Sequence, residues 1–266
     1  MLTFPVCHSS GGGVDVLDSV ISSVCCDLDA TISASYGGSG QTWANLIASP
    51  ADGAAQTDYD FFLGADGDSS TDDPAFNVDT FDLDGTDVFV GKITNTPTLA
   101  GLSRTDGTNV WWIATVTHIA ALLSADFFFE VRNGTTFGNQ ILIRTKDNTG
   151  TLRVAQRGSA TVNVDFAGVL TADTDHLIIV SADVPNNNIR LWVNTTTKTT
   201  ASPAFNTSTA DATFAASLAG RNPSGNHLPN GSKYKHFSCG NAFIDDADAA
   251  LIFAHLEARH GKDYTP

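Results

Sequence analysis

The sequence predicts an all-β protein: an antiparallel sandwich of two sheets, closed by one short C-terminal helix. Three observations carry that prediction. Of the 29 acidic residues only Glu130 and Glu257 are glutamates; the rest are aspartates. Glutamate suits helix surfaces, whereas aspartate, with asparagine, glycine and threonine, suits turns and strand ends. From residue 81 onward, short alternating runs recur between turn residues at roughly 8–12-residue spacing, the pattern of a sandwich or barrel. Only one segment, near the C-terminus, combines a helical composition with caps at both ends.

Taken in order, residues 1–30 read as an N-terminal extension. Ser9-Ser10-Gly11-Gly12-Gly13 forms a flexible joint. Val16, Leu17, Val20, Ile21 and Val24 then recur at helical spacing, which predicts a short amphipathic helix or an arm laid on a neighbouring subunit. Residues 31–80 are rich in Gly, Ala, Ser, Asp and Pro, with aromatic anchors at Tyr36, Trp43, Tyr59, Phe61, Phe62 and Phe76. They predict an irregular lead-in packed over a sheet. Strands are expected at Asp87–Lys92, Val110–His118, Asp126–Arg132, Gln140–Thr145, Thr151–Gln156, Val162–Phe166, His176–Asp183, Asn188–Asn194, Ala212–Leu218 and Tyr234–Ile244. Asp147-Asn148-Thr149-Gly150 and Pro185-Asn186-Asn187 supply turns between them. Over residues 245–261 a helix is expected, capped by Asp245 or Asp246, with Arg259 and His260 at its negative end and Gly261 closing it. The domain plan is thus an extension, 1–30, and a single sandwich, 31–266.

Composition narrows the function. A net charge of −15 and a pI near 4.5 exclude nucleic acid and anionic membrane surfaces as main partners, because phosphate neutralisation and lipid attraction both need basic residues. No apolar run approaches the ~18 residues of a membrane span. Met1-Leu2-Thr3-Phe4-Pro5 lacks a basic, then apolar, leader, so synthesis in the cytoplasm without a signal peptide is expected. Cys7, Cys25, Cys26 and Cys239 have neither a disulfide-framework nor a zinc spacing and read as buried thiols.

Three stretches, in order, resemble laminin G-like or concanavalin A-like jelly-roll sandwiches. The first is Phe81-Asp82-Leu83-Asp84-Gly85-Thr86-Asp87-Val88-Phe89-Val90. The second is His176-Leu177-Ile178-Ile179-Val180 with Asn188-Ile189-Arg190-Leu191-Trp192-Val193-Asn194. The third is the closing strand and helix, Phe237 to Gly261. The segment from Tyr36-Gly37-Gly38-Ser39-Gly40 through Phe61-Phe62-Leu63-Gly64 resembles the lead-in of such sandwiches encoded by tailed phages. The resemblance implies a jelly roll and a non-enzymatic virion structural role: a capsid decoration, head fibre or tail component on the particle surface. It also implies neighbouring virion proteins and a homo-oligomer as partners. Fold alone does not assign function. The alternative reading is a lectin-like carbohydrate-binding module, and the two combine in a virion adhesin for host surface polysaccharide.

Candidate sites follow from residue chemistry. Glucanases of this fold class use two carboxyls about 5–5.5 Å apart from an E-x-D-x-x-E run. Glu130 is followed by Val131-Arg132-Asn133, so that run is missing and a glycan hydrolase is disfavoured. Asp66, Asp68, Asp72 and Asp73 put four carboxylates into one short loop, oxygen ligands that suit calcium, the one cofactor the sequence offers. The loop lacks the sixth-position glycine and closing glutamate of an EF-hand, and a solvated acidic loop is the competing reading. Asp79, Asp82, Asp84 and Asp87 read as turn and register residues. Trp43, Trp112 and Trp192 are the candidate sugar-stacking rings, against a core role for each. Trp111 and Trp112 are neighbours on one strand and so point to opposite faces. The seven histidines are scattered and read as surface or hydrogen-bonded residues.

Overall fold

The computed structural model describes residues 16–92, 109–133, 140–157, 161–205, 214–221 and 225–265. Among them the chain forms β1 (Val24–Asp29), β2 (Thr42–Trp43), β3 (Phe61–Leu63), β4 (Ala75–Asn77), β5 (Thr80–Asp82), β6 (Phe89–Gly91), β7 (Val110–Ile119) and β8 (Phe127–Asn133). There follow β9 (Gln140–Thr145), β10 (Leu152–Arg157), β11 (Thr161–Phe166), β12 (Thr174–Asp183), β13 (Asn188–Val193), β14 (Thr199–Ala201), β15 (Phe214–Leu218) and β16 (Lys233–Gly240). The helix α1 (Asp246–His260) closes the chain. Sheet A has the order β14-β13-β12-β7-β16-β5-β4, with β1 also paired to β16; sheet B has the order β11-β10-β9-β8-β15-β6-β3-β2. All strand pairings within the two sheets are antiparallel. The all-β sandwich expected from the sequence is therefore the fold.

Alternation along each strand builds two apolar layers. Ile113, Ile178, Val180 and Phe237 of sheet A face Phe89, Phe129, Val131, Ile143 and Val154 of sheet B, forming the main core. The opposite face of sheet A is also buried: Trp112, Ala114, Val116, Leu177, Ile179 and Trp192 lie under Ala249, Ile252, Phe253 and Leu256 of α1. At its start α1 is capped by Asp245, whose carboxylate accepts from the Ala247 and Asp248 amides; it ends at Gly261 in the left-handed region, φ 60°.

The N-terminal expectation needs correction. Val16–Val24 is not a helix: Leu17–Ser19 make one 3-10 turn, and β1 begins at Val24. Leu17 and Ile21 are buried against the α1 layer, so two of the apolar positions serve that layer rather than a helix face. β1 itself is buried along its whole length, pairing with β16 from Gly240 to His236. Residues 16–29 thus belong to the sandwich rather than to an arm. The joint Ser9–Gly13, Cys7 and the rest of residues 1–15 lie outside the described residues. Residues 31–80 contain three very short strands, β2 to β4, and the start of β5, in place of a wholly irregular lead-in; two- and three-residue strands are too short to show a period. No helix among the described residues is long and apolar enough to cross a membrane.

One buried carboxyl gives the fold a pH signature. Asp126 is buried, its Oδ2 has no hydrogen-bond partner, and burial pushes its pKa up to about 6. A carboxyl raised in the folded state stabilises most when protonated, and that contribution is lost as pH rises from its unfolded value near 4 through about 6. Asp126→Asn is expected to flatten this slope. Relative to wild type, the variant should gain about 1–2 kcal/mol between pH 4 and pH 8 in urea midpoints, and parallel curves would refute the assignment.

Candidate functional site

The helix α1 leaves part of the outer face of sheet A uncovered, and the sandwich opens a groove there. Trp112, Ala114 and Val116 alternate outward along β7 and the next outward residue is His118. Across the sheet His118 is paired with Asp175 of β12 and Lys233 of β16, and Lys233 is paired with Asp82 of β5. Directly opposed residues of antiparallel strands share a face. Register alone therefore lines up Asp175, His118, Lys233 and Asp82 across four strands. A groove of about 550 Å³ sits here, lined by Asp175, His118 and Lys233 of that row together with Asn77, Asp79, Thr80, Val116, Lys235 and Tyr264.

The groove's charges are paired. His118 Nδ1 lies 2.7 Å from Asp175 Oδ1, and Lys262 reaches the other oxygen of that carboxylate. Burial alone raises Asp175, but the hydrogen bonds from Lys262 and His118 outweigh it and hold the carboxyl below its usual range. Lys235 meets Asp79 at 2.8 Å and Lys233 meets Asp82 at 3.5 Å. Donors and acceptors of both signs thus stand around one concave surface.

Behind the groove lies a buried polar centre joining β1, β16 and α1. Arg259 Nη1 donates to Asp27 Oδ1 and to Asp29 Oδ2, both at 3.0 Å, and its Nη2 donates to Asp27 Oδ2 at 3.1 Å. His236 Nδ1 and His260 Nε2 lie 3.3 and 2.9 Å from Asp29 Oδ2. The second nitrogens are held as well: His236 Nε2 pairs with Ser238 Oγ and His260 Nδ1 with Tyr264 Oη, each at 2.9 Å. Tyr264 is shared by the centre and the groove. Burial pushes His260 down, ahead of the opposing pull of Asp29.

The residues singled out by the sequence lie elsewhere. Trp43, Trp112 and Trp192 are all fully buried. Trp43 packs between the sheets against Phe81 and Phe89, with ring centroids 4.9 and 5.0 Å away. Trp112 and Trp192 lie beneath α1, donating to Ser23 Oγ and Asp246 Oδ1, each at 3.0 Å. None has a ring face free for a sugar, and the sugar-stacking expectation is corrected for all three. Trp111 and Trp112 do face opposite ways, yet both faces are core.

The oxygens of Asp66, Asp68, Asp72 and Asp73 are not gathered into a metal-binding cluster in this structure. Asp66 Oδ1 accepts from the Asp68 amide, Asp72 Oδ2 from the Ala65 amide and Asp73 Oδ2 from the Ser70 amide, so the carboxylates serve their own loop. Among the described residues, the ligand atoms of three or more His, Cys, Asp or Glu converge only at Asp29, His236 and His260. Both glutamates are structural. Glu130 is buried and takes a salt bridge from Arg221 at 3.0 Å, and Glu257 Oε1 accepts from the Tyr264 amide at 2.9 Å. Asp79 and Asp82, read as turn and register residues, are the acids that reach the groove lysines.

No protein-family model matches the chain, and no curated protein matches it in sequence. Solved structures do. The sialidase of Trypanosoma rangeli bound to 2,3-difluorosialic acid aligns with a TM-score of 0.59 at 8% identity, covering 89% of this chain and 33% of the sialidase. Its complex with sialic acid aligns at 0.56 with 10% identity over the same shares. The chain therefore spans about a third of that enzyme's length. A CBM40 module of the Ruminococcus gnavus IT-sialidase, bound to α2,3-sialyllactose, aligns at 0.47 with 15% identity over 57% of this chain and 85% of the module. At these identities the likeness concerns the fold: this chain has a β-sandwich like one found within sialidases.

Proposed function

We propose that this protein is a non-enzymatic carbohydrate-binding sandwich whose site is the groove at His118, Asp175, Lys233 and Lys235. The observation that carries the reading is the register-built line of hydrogen-bonding side chains across the outer face of sheet A, beside the part that α1 covers. Its volume lies within the usual range for small-ligand sites, about 300–1,000 Å³. Sugar hydroxyls both donate and accept, which matches lysine and imidazole groups set beside carboxylates. Solved relatives of this fold carry sialic acid and sialyllactose, which supports a glycan as ligand class. Here each groove lysine already faces an aspartate, so a neutral sugar fits better than a carboxylated one, whose charge competes with Asp79, Asp82 and Asp175. A place on a phage particle is the expected setting only through the resemblance of residues 36–64.

Calorimetric titration with lactose and sialyllactose, a pair differing by one sialic acid, within a wider oligosaccharide panel tests the reading. Tighter binding of neutral members is expected. A paired Asn77→Ala, Asp79→Ala variant should lose at least tenfold in affinity while its stability stays within about 0.5 kcal/mol, as expected of half-exposed residues. Absence of binding to every glycan, or binding that ignores the groove variant, overturns the proposal.

A further inference from the structure

The groove reading leaves the buried centre behind it unused, and that centre has the makings of a metal site. We propose that Asp29, His236 and His260 bind a transition-metal dication, with zinc as the best match. Their ligand atoms all lie within 4.8 Å of one another. The two measured edges to Asp29 Oδ2 are 2.9 and 3.3 Å. Ligands at ordinary zinc distances in a tetrahedron stand ~3.3 Å apart, close to both of these edges. A further carboxylate oxygen, Asp27 Oδ1, lies 3.6 Å from His236 Nδ1. Two imidazoles with a carboxylate suit zinc and its neighbours and do not suit calcium or magnesium, which take oxygen ligands.

The outer hydrogen bonds favour the site as well. Each imidazole has its inner nitrogen on Asp29 and its outer nitrogen on a hydroxyl, Ser238 Oγ or Tyr264 Oη. With an ion held by the inner nitrogen, the outer N–H donates to that hydroxyl, which can take either role. Such outer partners orient metal-ligating histidines. Asp29 is held in the same manner, its Oδ1 accepting from the Thr31 amide at 2.9 Å and its Oδ2 from Arg259. The three ligands come from β1, β16 and the last turn of α1, so the ion fastens helix to sheet. Through Tyr264 it also fixes one lining residue of the groove. The site stands independently of glycan binding.

The test uses the full chain, dialysed against a chelator and titrated with Zn2+ and, separately, Co2+. One equivalent per chain is expected, with an X-ray absorption signature of imidazole and oxygen ligands and no sulfur. At a hundredfold excess over Kd the melting temperature should rise by about 5–10 °C. His260→Gln should weaken binding at least ~100-fold, as should His236→Gln, while His118→Gln leaves it unchanged. Failure to take up one equivalent, sulfur ligation, or undiminished affinity in His260→Gln overturns the proposal. Because the wild-type spectrum reports the ligands directly, the outcome stands even where a variant folds poorly.

Discussion

Replacing Arg259 by methionine is expected to destabilise the protein by about 3–5 kcal/mol, read as a fall in the urea midpoint. Asp27 and Asp29 are fully buried on β1, and the Arg259 guanidinium binds both. Methionine approximates the side-chain volume but leaves two carboxylates in a low-dielectric layer beside His236 of β16 and His260 of α1. Breaking a buried pair from one side costs more than the pair contributes. Lysine at this position keeps the charge but not the planar fork that spans both acids, so Arg259→Lys should fall between.

The pH dependence separates charge from lost contacts. Burial pushes Asp29 up, but hydrogen bonds and charge from His236 and His260 outweigh it, and the carboxyl lies well below its usual range. A carboxyl depressed in the folded state contributes stability above its unfolded pKa, near 4, and loses it as pH falls through the lower folded value. In Arg259→Met the cation that both carboxylates share is gone. The penalty should therefore be fullest above about pH 6 and shrink toward pH 4 as protons replace the missing cation. A penalty independent of pH would point to packing and refute the electrostatic account.

Trp43→Ala carries the second large effect, about 3–5 kcal/mol, with the m-value unchanged. Trp43 sits among Phe81, Phe89 and Tyr234, at ring separations of 4.9, 5.0 and 6.2 Å. It ties β2 at the edge of sheet B to β5 and β16 of sheet A. Alanine leaves a cavity that surrounding rings cannot fill without leaving their rotamers. Phenylalanine fills most of it, so Trp43→Phe should cost clearly less. A sugar-stacking tryptophan would behave the other way, losing glycan affinity at unchanged stability. The two measurements on one variant decide between these roles.

The long strands and the terminal helix were legible because each has a run, a period or a cap of its own. β7 and β12 are long apolar and β-branched runs, β13 alternates, and α1 shows its aspartate cap and closing glycine. β1 was hidden because its six residues include the buried Asp27 and Asp29, so neither an apolar run nor an alternation marks it, and its register shift between Val24 and Cys26 moves the phase again. Tryptophan chemistry suggested sugar platforms, but residue type is the same in a core and in a binding face; only the cover supplied by α1 and the facing sheet decides. The acidic loop at Asp66–Asp73 was visible as composition, whereas ligand geometry depends on where the loop spends its oxygens.

The sequence by itself determined the class of fold, its C-terminal helix and the lack of a glutamate pair, since these follow from local propensity and spacing. Tertiary structure decided the rest. Asp29 and His260 are separated by 231 positions, and Asp175 and His118 by 57. No local pattern links such residues; sheet register and the stopping point of α1 bring them together. A site assembled from different strands is a property of the pairing, and pairing is fixed by burial across the whole sandwich rather than by any one segment.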